Sequence, residues 1–191
     1  MKLKFSKIEI KELLYADVML SIAFSILFAG ISTNILLLLP IMFLVMTFSF
    51  IIHELSHKFV AQKYKYVAEF RANKSMLWMT IVMSVFGFII AAPGAVHILS
   101  HNQLDYRKHG KIAFAGPLSN IILAAIFLGL SFISSLVIIE YIYFINAILA
   151  VFNMLPLPNF DGKKIWDWNK TVYIIAGIIA LMLYSLPMML A

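Results

Sequence analysis

The sequence predicts an all-α, polytopic membrane protein built as a single domain over residues 1–191. Hydrophobic residues make up 63% of the chain and charged residues 13%, a balance far from that of soluble domains. Six apolar segments also come close to the roughly 20 residues that cross a bilayer. There is no cysteine, which excludes disulfides, thiolate metal ligands and cysteine nucleophiles.

Each apolar segment ends where polar residues, glycine or proline interrupt the run. The first follows a charged N-terminus and ends before "GISTN", and "YKYVAEFRANKS" separates the second from the third. The fourth follows "RKHGK", a serine pair divides it from the fifth, and "PLPNFDGKKIWDWNK" precedes the sixth. In chain order the predicted segments are 13–29, 35–63, 76–92, 112–134, 136–155 and 171–190.

The positions of the 15 lysines and arginines decide the predicted topology. They lie in the N-terminus, around the break after the second segment, before the fourth segment and before the sixth. Cytoplasmic loops carry the excess of Lys and Arg, but six crossings would put the last two clusters opposite the first two. We therefore predict five transmembrane helices and one re-entrant element around residues 66–99; six spans are the alternative. The N-terminus then lies in the cytoplasm.

The net charge of +6 has the same explanation. No soluble basic domain is evident in the sequence that could bind nucleic acid. We therefore expect the lipid bilayer, and no nucleic acid, as the partner of the basic residues.

The second segment ends in "SFIIHELSHKF", where ionisable side chains are costly. His53 and His57 are four residues apart and project from one helix face, so both imidazoles can bind one zinc ion. Glu54 lies beside them, where it can take a proton from a water molecule on the metal. The alternative interpretation is a pair of interfacial histidines beside Lys58. A catalytic zinc takes three protein ligands, so the motif requires one more.

Two carboxylates compete for the third ligand position. Glu140 lies near the start of the fifth segment, and Asp161 follows its end. In the predicted topology the second and fifth segments run in the same direction, so Asp161 arrives near His53, whereas Glu140 lies roughly 23 Å away along the axis. We predict Asp161 as the ligand and Glu140 as a carboxylate near the outer interface.

The segment "NMLPLPNFDG" at residues 153–162 can bring Asp161 back to the helix bundle. Pro156 and Pro158 stop the helix, and Gly162 permits a turn. Asn153 can hydrogen-bond backbone groups freed by this break. The alternative is an ordinary proline and glycine loop at a membrane surface.

The segment "AGPLSN" at residues 115–120 lies in the same half of the membrane as the histidines. Gly116 allows close helix approach and Pro117 frees a backbone carbonyl. Asn120 has two possible roles. It either forms a hydrogen bond between helices or donates one to the substrate backbone or the developing oxyanion.

Three stretches together resemble the signatures of the site-2 protease family of intramembrane zinc metalloproteases. They are H-E-L-S-H at 53–57, G-P-L-S-N at 116–120 and N-M-L-P-L-P-N-F-D-G at 153–162. The resemblance implies that His53, His57 and Asp161 bind zinc, that Glu54 is the general base, and that Asn120 belongs to the substrate-binding site. It also implies a re-entrant β-hairpin, for which "FIIAAPGAVHIL" at 88–99 would supply the strands.

We therefore expect a zinc-dependent intramembrane endopeptidase that takes part in regulated intramembrane proteolysis. Its partner would be a transmembrane protein substrate, held along the hairpin edge at Gly94, Ala95 and Val96. Its location would be a prokaryotic cell membrane, with the active site toward the cytoplasm. An inactive relative that binds membrane proteins as an adaptor is the alternative, and a transporter is weaker because no inverted repeat is evident.

Overall fold

The protein is mostly helical in the computed structural model, which describes residues 3–89, 92–99, 105–158 and 160–190. The helices are α1 (Lys7–Ala29), α2 (Ile35–Met46), α3 (Ile52–Lys63), α4 (Lys74–Val85), α5 (Tyr106–Ser131), α6 (Val137–Asn153), α7 (Asp161–Trp168) and α8 (Lys170–Leu190), with a π-helical segment (Thr47–Ile51) joining α2 to α3. The strands β1 (Val67–Ala72) and β2 (Gly94–Leu99) form a small sheet.

Every predicted apolar segment contains a helix, but several ends differ from the prediction. Helix α1 begins before residue 13 because the Ser6 side chain accepts a hydrogen bond from the Glu9 backbone N–H. Helix α5 begins before residue 112 because Asp105 caps it through the Arg107 N–H. Side-chain caps satisfy the free N–H groups of a first helical turn, so both helices extend into their polar flanks.

Helix α4 is shorter than the predicted segment 76–92. It has 12 residues, or about 18 Å, against a hydrocarbon core of roughly 30 Å. Among the described residues, three helical stretches are long and apolar enough to cross a membrane: Lys7–Ala29, Ile35–Lys63 and Tyr106–Ser131. Three other helical stretches are apolar but shorter than these: α4, α6 and the part of α8 up to Leu186.

The sheet brings together the segment that precedes α4 and the segment that follows it. Strands β1 and β2 are antiparallel, and Ala72 is paired with Gly94. Just beyond this pair, the Asn73 N–H donates to the Pro93 carbonyl at 2.9 Å. The chain therefore returns to the place that it left. The prediction that residues 88–99 supply both strands is wrong, because the partner of β2 is β1, which precedes α4; residues 90 and 91 of that stretch lie outside the described residues.

Helix α6 lies between two apolar clusters. Ile142 and Ile145 pack with buried side chains of α1, α2 and the π segment. Ala147 and Ala150 pack instead with residues of α5, α7 and α8. This shared helix links the N-terminal and C-terminal parts of the chain, which supply different parts of the site described next.

Candidate metal centre

Two imidazoles and one carboxylate converge at the start of α3. The Nε2 atoms of His53 and His57 are 3.0 Å apart. Asp161 Oδ2 lies 3.4 Å from the first and 3.0 Å from the second. All three residues are buried. The structure thus brings together the three residues predicted as ligands, whereas Glu140 is exposed in the first turn of α6.

A backbone carbonyl sets the tautomer of His57. Its Nδ1 lies 2.7 Å from the Ile112 carbonyl oxygen, which can only accept, so Nδ1 carries the proton. In the neutral ring, Nε2 then presents its lone pair to the other two ligand atoms.

An amide network sets the tautomer of His53 in the same way. Asn120 Nδ2 donates to the Ser49 carbonyl at 3.1 Å, which fixes its Oδ1 as the acceptor for His53 Nδ1 at 2.6 Å. Asn146 Nδ2 donates to the Ile142 carbonyl and to Ser49 Oγ, and its Oδ1 accepts from Asn120. Asn120 and Asn146 are both fully buried, so no water competes for these bonds.

These three ligand atoms have the chemistry of a zinc site. Two lone pairs and a carboxylate oxygen at 3.0 to 3.4 Å repel one another unless a cation lies among them. At zinc-to-ligand distances of about 2.0 Å, neighbouring ligands of a tetrahedron are roughly 3.3 Å apart. Each ligand also has the outer partner usual at metal centres, since Lys164 Nζ contacts Asp161 Oδ1 at 3.3 Å.

The charge state of Asp161 suits a ligand. Burial opposes its ionisation, but in the metal-free site, where a proton on the imidazole Nε2 atoms takes the place of a cation, interaction with His57, hydrogen bonds with both imidazoles and the nearby Lys164 outweigh burial. Together they hold the pKa of the Asp161 carboxyl well below its usual range. The carboxylate is therefore anionic at neutral pH.

Glu54 faces the same space as the ligands. Its side chain is buried, and within the described part of the chain its Oε2 has no hydrogen-bond partner. A buried carboxylate oxygen without a partner is costly. This atom is the group that a water molecule beside the ligands would contact.

Two glycines make the convergence possible. A Cβ on Gly116 would lie 2.4 Å from His57 Nε2 and 2.6 Å from His53 Cε1, so α5 can approach the imidazoles only with glycine there. A Cβ on Gly162 would lie 2.4 Å from the Met154 carbonyl oxygen. Gly162 was expected to permit a turn, but it lies inside α7 and allows the start of this helix to pack against the end of α6.

A cavity of about 90 Å³ adjoins the ligands. Its lining includes the ligands, Glu54, several β2 residues and three further polar side chains, namely His109, Asn153 and Lys164. One water molecule occupies about 30 Å³ of liquid. The cavity therefore has room for an ion and water.

Strand β2 borders this cavity, and within the described residues its edge away from β1 pairs with no other strand. Phe70 and Ala72 direct their N–H groups away from β2, to Glu9 and Glu12 of α1. In an antiparallel ladder, the residues opposite such positions also point away from the partner strand. Their partners Val96 and Gly94 therefore direct backbone groups toward the cavity, whereas Ala95 directs its own toward β1.

Gly94 also has a structural reason to be glycine. Its φ is +150°, and a Cβ there would lie 2.2 Å from the Arg71 carbonyl oxygen. The role predicted for Gly94, Ala95 and Val96 in substrate binding stays a prediction.

The remaining predicted residues lie near the site in different ways. Both amide donor contacts described for Asn120 are to protein acceptors, which suits a residue that orients His53; its predicted role in substrate binding stays a prediction. Asn153 Nδ2 donates to the Leu149 carbonyl in its own helix, and its predicted contact with backbone groups freed by the break stays a prediction. Pro156 and Pro158 are exposed in the non-helical stretch after α6, and Pro117 is buried within α5.

Sequence reasoning missed Ser49, Asn146, His109 and Lys164. Asn146 is a polar residue within an apolar segment, a signal that could have indicated it. The role of Ser49 depends on the π-helical segment, a feature often associated with functional sites. Lys164 could have been noticed from its i, i+3 spacing to Asp161.

The chain is similar to a protein of Methanocaldococcus jannaschii named "Putative zinc metalloprotease MJ0611". The two are 40% identical over 191 aligned residues, which cover 96% of this chain and 97% of the relative. A comparison with models of protein families gives no match, and no solved structure matches the chain. The similarity extends over almost the full length of both chains and is not confined to the H-E-x-x-H motif.

Proposed function

The chain belongs to the site-2 protease-like family of zinc metalloproteases, and on that premise we propose that it is an intramembrane endopeptidase. Its substrate is a membrane protein that is cleaved within or near a transmembrane segment. The observation that carries the proposal is the convergence of His53, His57 and Asp161 beside Glu54 Oε2, which has no hydrogen-bond partner among the described residues. This is the arrangement that metal-assisted hydrolysis needs.

In the proposed membrane arrangement, five helical segments cross and α4 does not. The support is the short length of α4, its enclosure between two paired strands, and the distribution of lysine and arginine. Exposed apolar side chains on α4, such as Trp78 and Val82, suit contact with lipid. The N-terminus and the metal centre lie toward the cytoplasm of a prokaryotic cell.

His53, His57 and Asp161 would hold zinc, which would polarise the scissile carbonyl and lower the pKa of the attacking water. Glu54 accepts the proton of that water and returns it to the leaving amine. Asn120 and the Ile112 carbonyl keep both imidazoles in the required tautomer, and Lys164 orients Asp161. The burial of Asn120 and of both imidazoles protects their hydrogen bonds from competition by water.

The substrate binds in an extended form along β2. A helical peptide has its backbone groups paired internally, so it must unwind before it can pair with Gly94 and Val96.

The variant Glu54→Gln tests the chemistry. It keeps the size of the side chain but removes the base, so we expect native zinc content and a loss of cleavage of at least about 100-fold, the usual contribution of general base catalysis. The assay is cleavage of single-span substrates by detergent-solubilised protein, with zinc measured by mass spectrometry. Glu140→Gln, at an exposed site, is the matched control and should cleave normally.

Cleavage by Glu54→Gln at the rate of the control, with zinc still bound, would show that another group is the base. A native chain that binds zinc and single-span substrates but does not cleave them would instead support the adaptor alternative. A chain that binds no zinc would contradict the metal centre itself.

A further inference from the structure

A buried ion pair lies next to the metal centre but takes no part in it. Lys58 follows His57 directly, and its Nζ lies 2.6 and 2.5 Å from the two carboxylate oxygens of Glu9 on α1. The exposed fractions are 1% for Lys58 and 0% for Glu9. Although Lys58 was counted among the cations that set the topology, its charge is neutralised inside the protein.

The ion pair also binds the outer edge of β1. Lys58 donates to the Ala68 carbonyl at 2.9 Å, and Glu9 accepts the Phe70 N–H at 3.0 Å. One turn further along α1, Glu12 accepts the Ala72 N–H at 3.0 Å. Three side chains therefore occupy the edge of β1 that faces away from β2, at alternate residues of the strand.

The contribution of the ion pair to folding stability does not by itself explain why it is buried here. A buried ion pair seldom exceeds the stabilisation that apolar residues of the same volume would give. Its distinctive property is geometric, because it joins three elements: α1, the metal-binding α3 and the strand next to β2. A side chain adjacent to a zinc ligand thus fixes the sheet that borders the cavity.

We propose that Glu9, Glu12 and Lys58 are positioning residues that direct the substrate to the free edge of β2. They do so in two ways. They satisfy the outer edge of β1, so that an extended peptide cannot pair there, and they hold the sheet at a fixed distance from His57. The inference rests on the proposed function, in which the substrate is an extended peptide.

Two sets of variants remove these contacts without leaving a buried charge alone. In the double variant Glu9→Leu with Lys58→Met, apolar side chains of similar length replace the pair, and buried pairs tolerate this exchange. At Glu12, which is only half-buried, Glu12→Leu removes the acceptor for the Ala72 N–H, whereas Glu12→Gln keeps one. The double variant Lys163→Met with Asp167→Leu removes an exposed ion pair and is the matched control.

The readouts are zinc content, steady-state cleavage kinetics and amide hydrogen exchange of residues 94–99, a strand that the three side chains do not contact. For Glu9→Leu with Lys58→Met we expect one zinc per chain, a kcat within about twofold of native, and a KM about tenfold higher, the equivalent of one hydrogen bond. Exchange in β2 should accelerate by a similar factor. Glu12→Leu should show smaller changes in the same direction, and Glu12→Gln should restore native values.

Native exchange in β2 for both Glu9→Leu with Lys58→Met and Glu12→Leu would overturn the proposal. So would a change in which kcat falls and KM does not, since this would indicate a role at the metal centre. The exchange measurement does not depend on cleavage. If the native chain proves to cleave nothing, the proposed function fails, while exchange still decides whether these residues position the sheet.

Discussion

Replacing Gly116 by alanine should damage the metal centre from outside its ligand set. The new Cβ would lie 2.4 Å from His57 Nε2, 2.5 Å from its Cε1 and 2.6 Å from His53 Cε1. Ordinary van der Waals contacts of a Cβ begin near 3.4 Å, so the distance between α5 and the imidazoles must increase by about 1 Å. His57 cannot easily give way, because its Nδ1 is bonded to Ile112 on the same helix as Gly116.

The displacement is large on the scale of metal coordination. Zinc-to-nitrogen distances vary by only about 0.2 Å among well-formed sites, so a shift of about 1 Å removes one imidazole from the coordination sphere. We expect zinc affinity to fall by about 100-fold or more, the upper range for changes in the outer shell of a metal site. Overpacking should also lower the free energy of unfolding by about 1–3 kcal/mol.

The assay is competition for zinc with a chelator of known affinity, followed by thermal unfolding of the metal-free protein in detergent. Gly129→Ala lies on the same helix, and in the described part of the chain no atom outside that helix's own backbone comes within 4 Å of its Cβ. It is therefore the matched control. Equal zinc affinities for the two alanine variants would refute the close approach of α5 to the imidazoles.

Two further predictions concern the amide network and the membrane arrangement. Asn146→Leu removes the acceptor that holds Asn120, so zinc affinity should fall by about 10-fold or more in the same competition assay; an unchanged affinity would mean that Asn120 orients His53 unaided. Because the chain lacks native cysteine, single cysteines can report sidedness through a membrane-impermeant thiol reagent. Cysteines replacing Ser75 and Tyr106 should react from the cytoplasmic face and one replacing Ser135 from the other; labelling of Ser75 and Tyr106 from opposite faces would mean that α4 crosses.

The parts of the site that depend on local spacing could be predicted from the sequence. His53 and His57 lie on one helix face because helical periodicity places residues i and i+4 together, and Glu54 follows from the same motif. Asp161 could be chosen over Glu140 because the direction of a helix decides which of its ends meets the ligands. Neither inference requires knowledge of how the side chains pack.

The parts of the site and fold that depend on register and on long-range pairing could not be predicted from the sequence. Asn120 meets His53 only because the π-helical segment Thr47–Ile51 presents the Ser49 carbonyl to the Asn120 amide, and local sequence does not specify that change of register. The strand Val67–Ala72 is a charged stretch whose partner comes after an intervening helix. Side chains of α1 bind the other edge of this strand, and the pattern within the strand does not reveal them.

The metal ligands are supplied by distant parts of the chain. Two lie on α3 and the third is the first residue of α7, more than 100 residues later. Domains are synthesised from the N-terminus, so a ribosome-bound chain carries the two histidines through the synthesis of five more elements, β1, α4, β2, α5 and α6, before the third candidate ligand exists. The candidate metal centre is therefore complete only once α7 has been synthesised, and a chain truncated before α7 carries only two of the three candidate ligands.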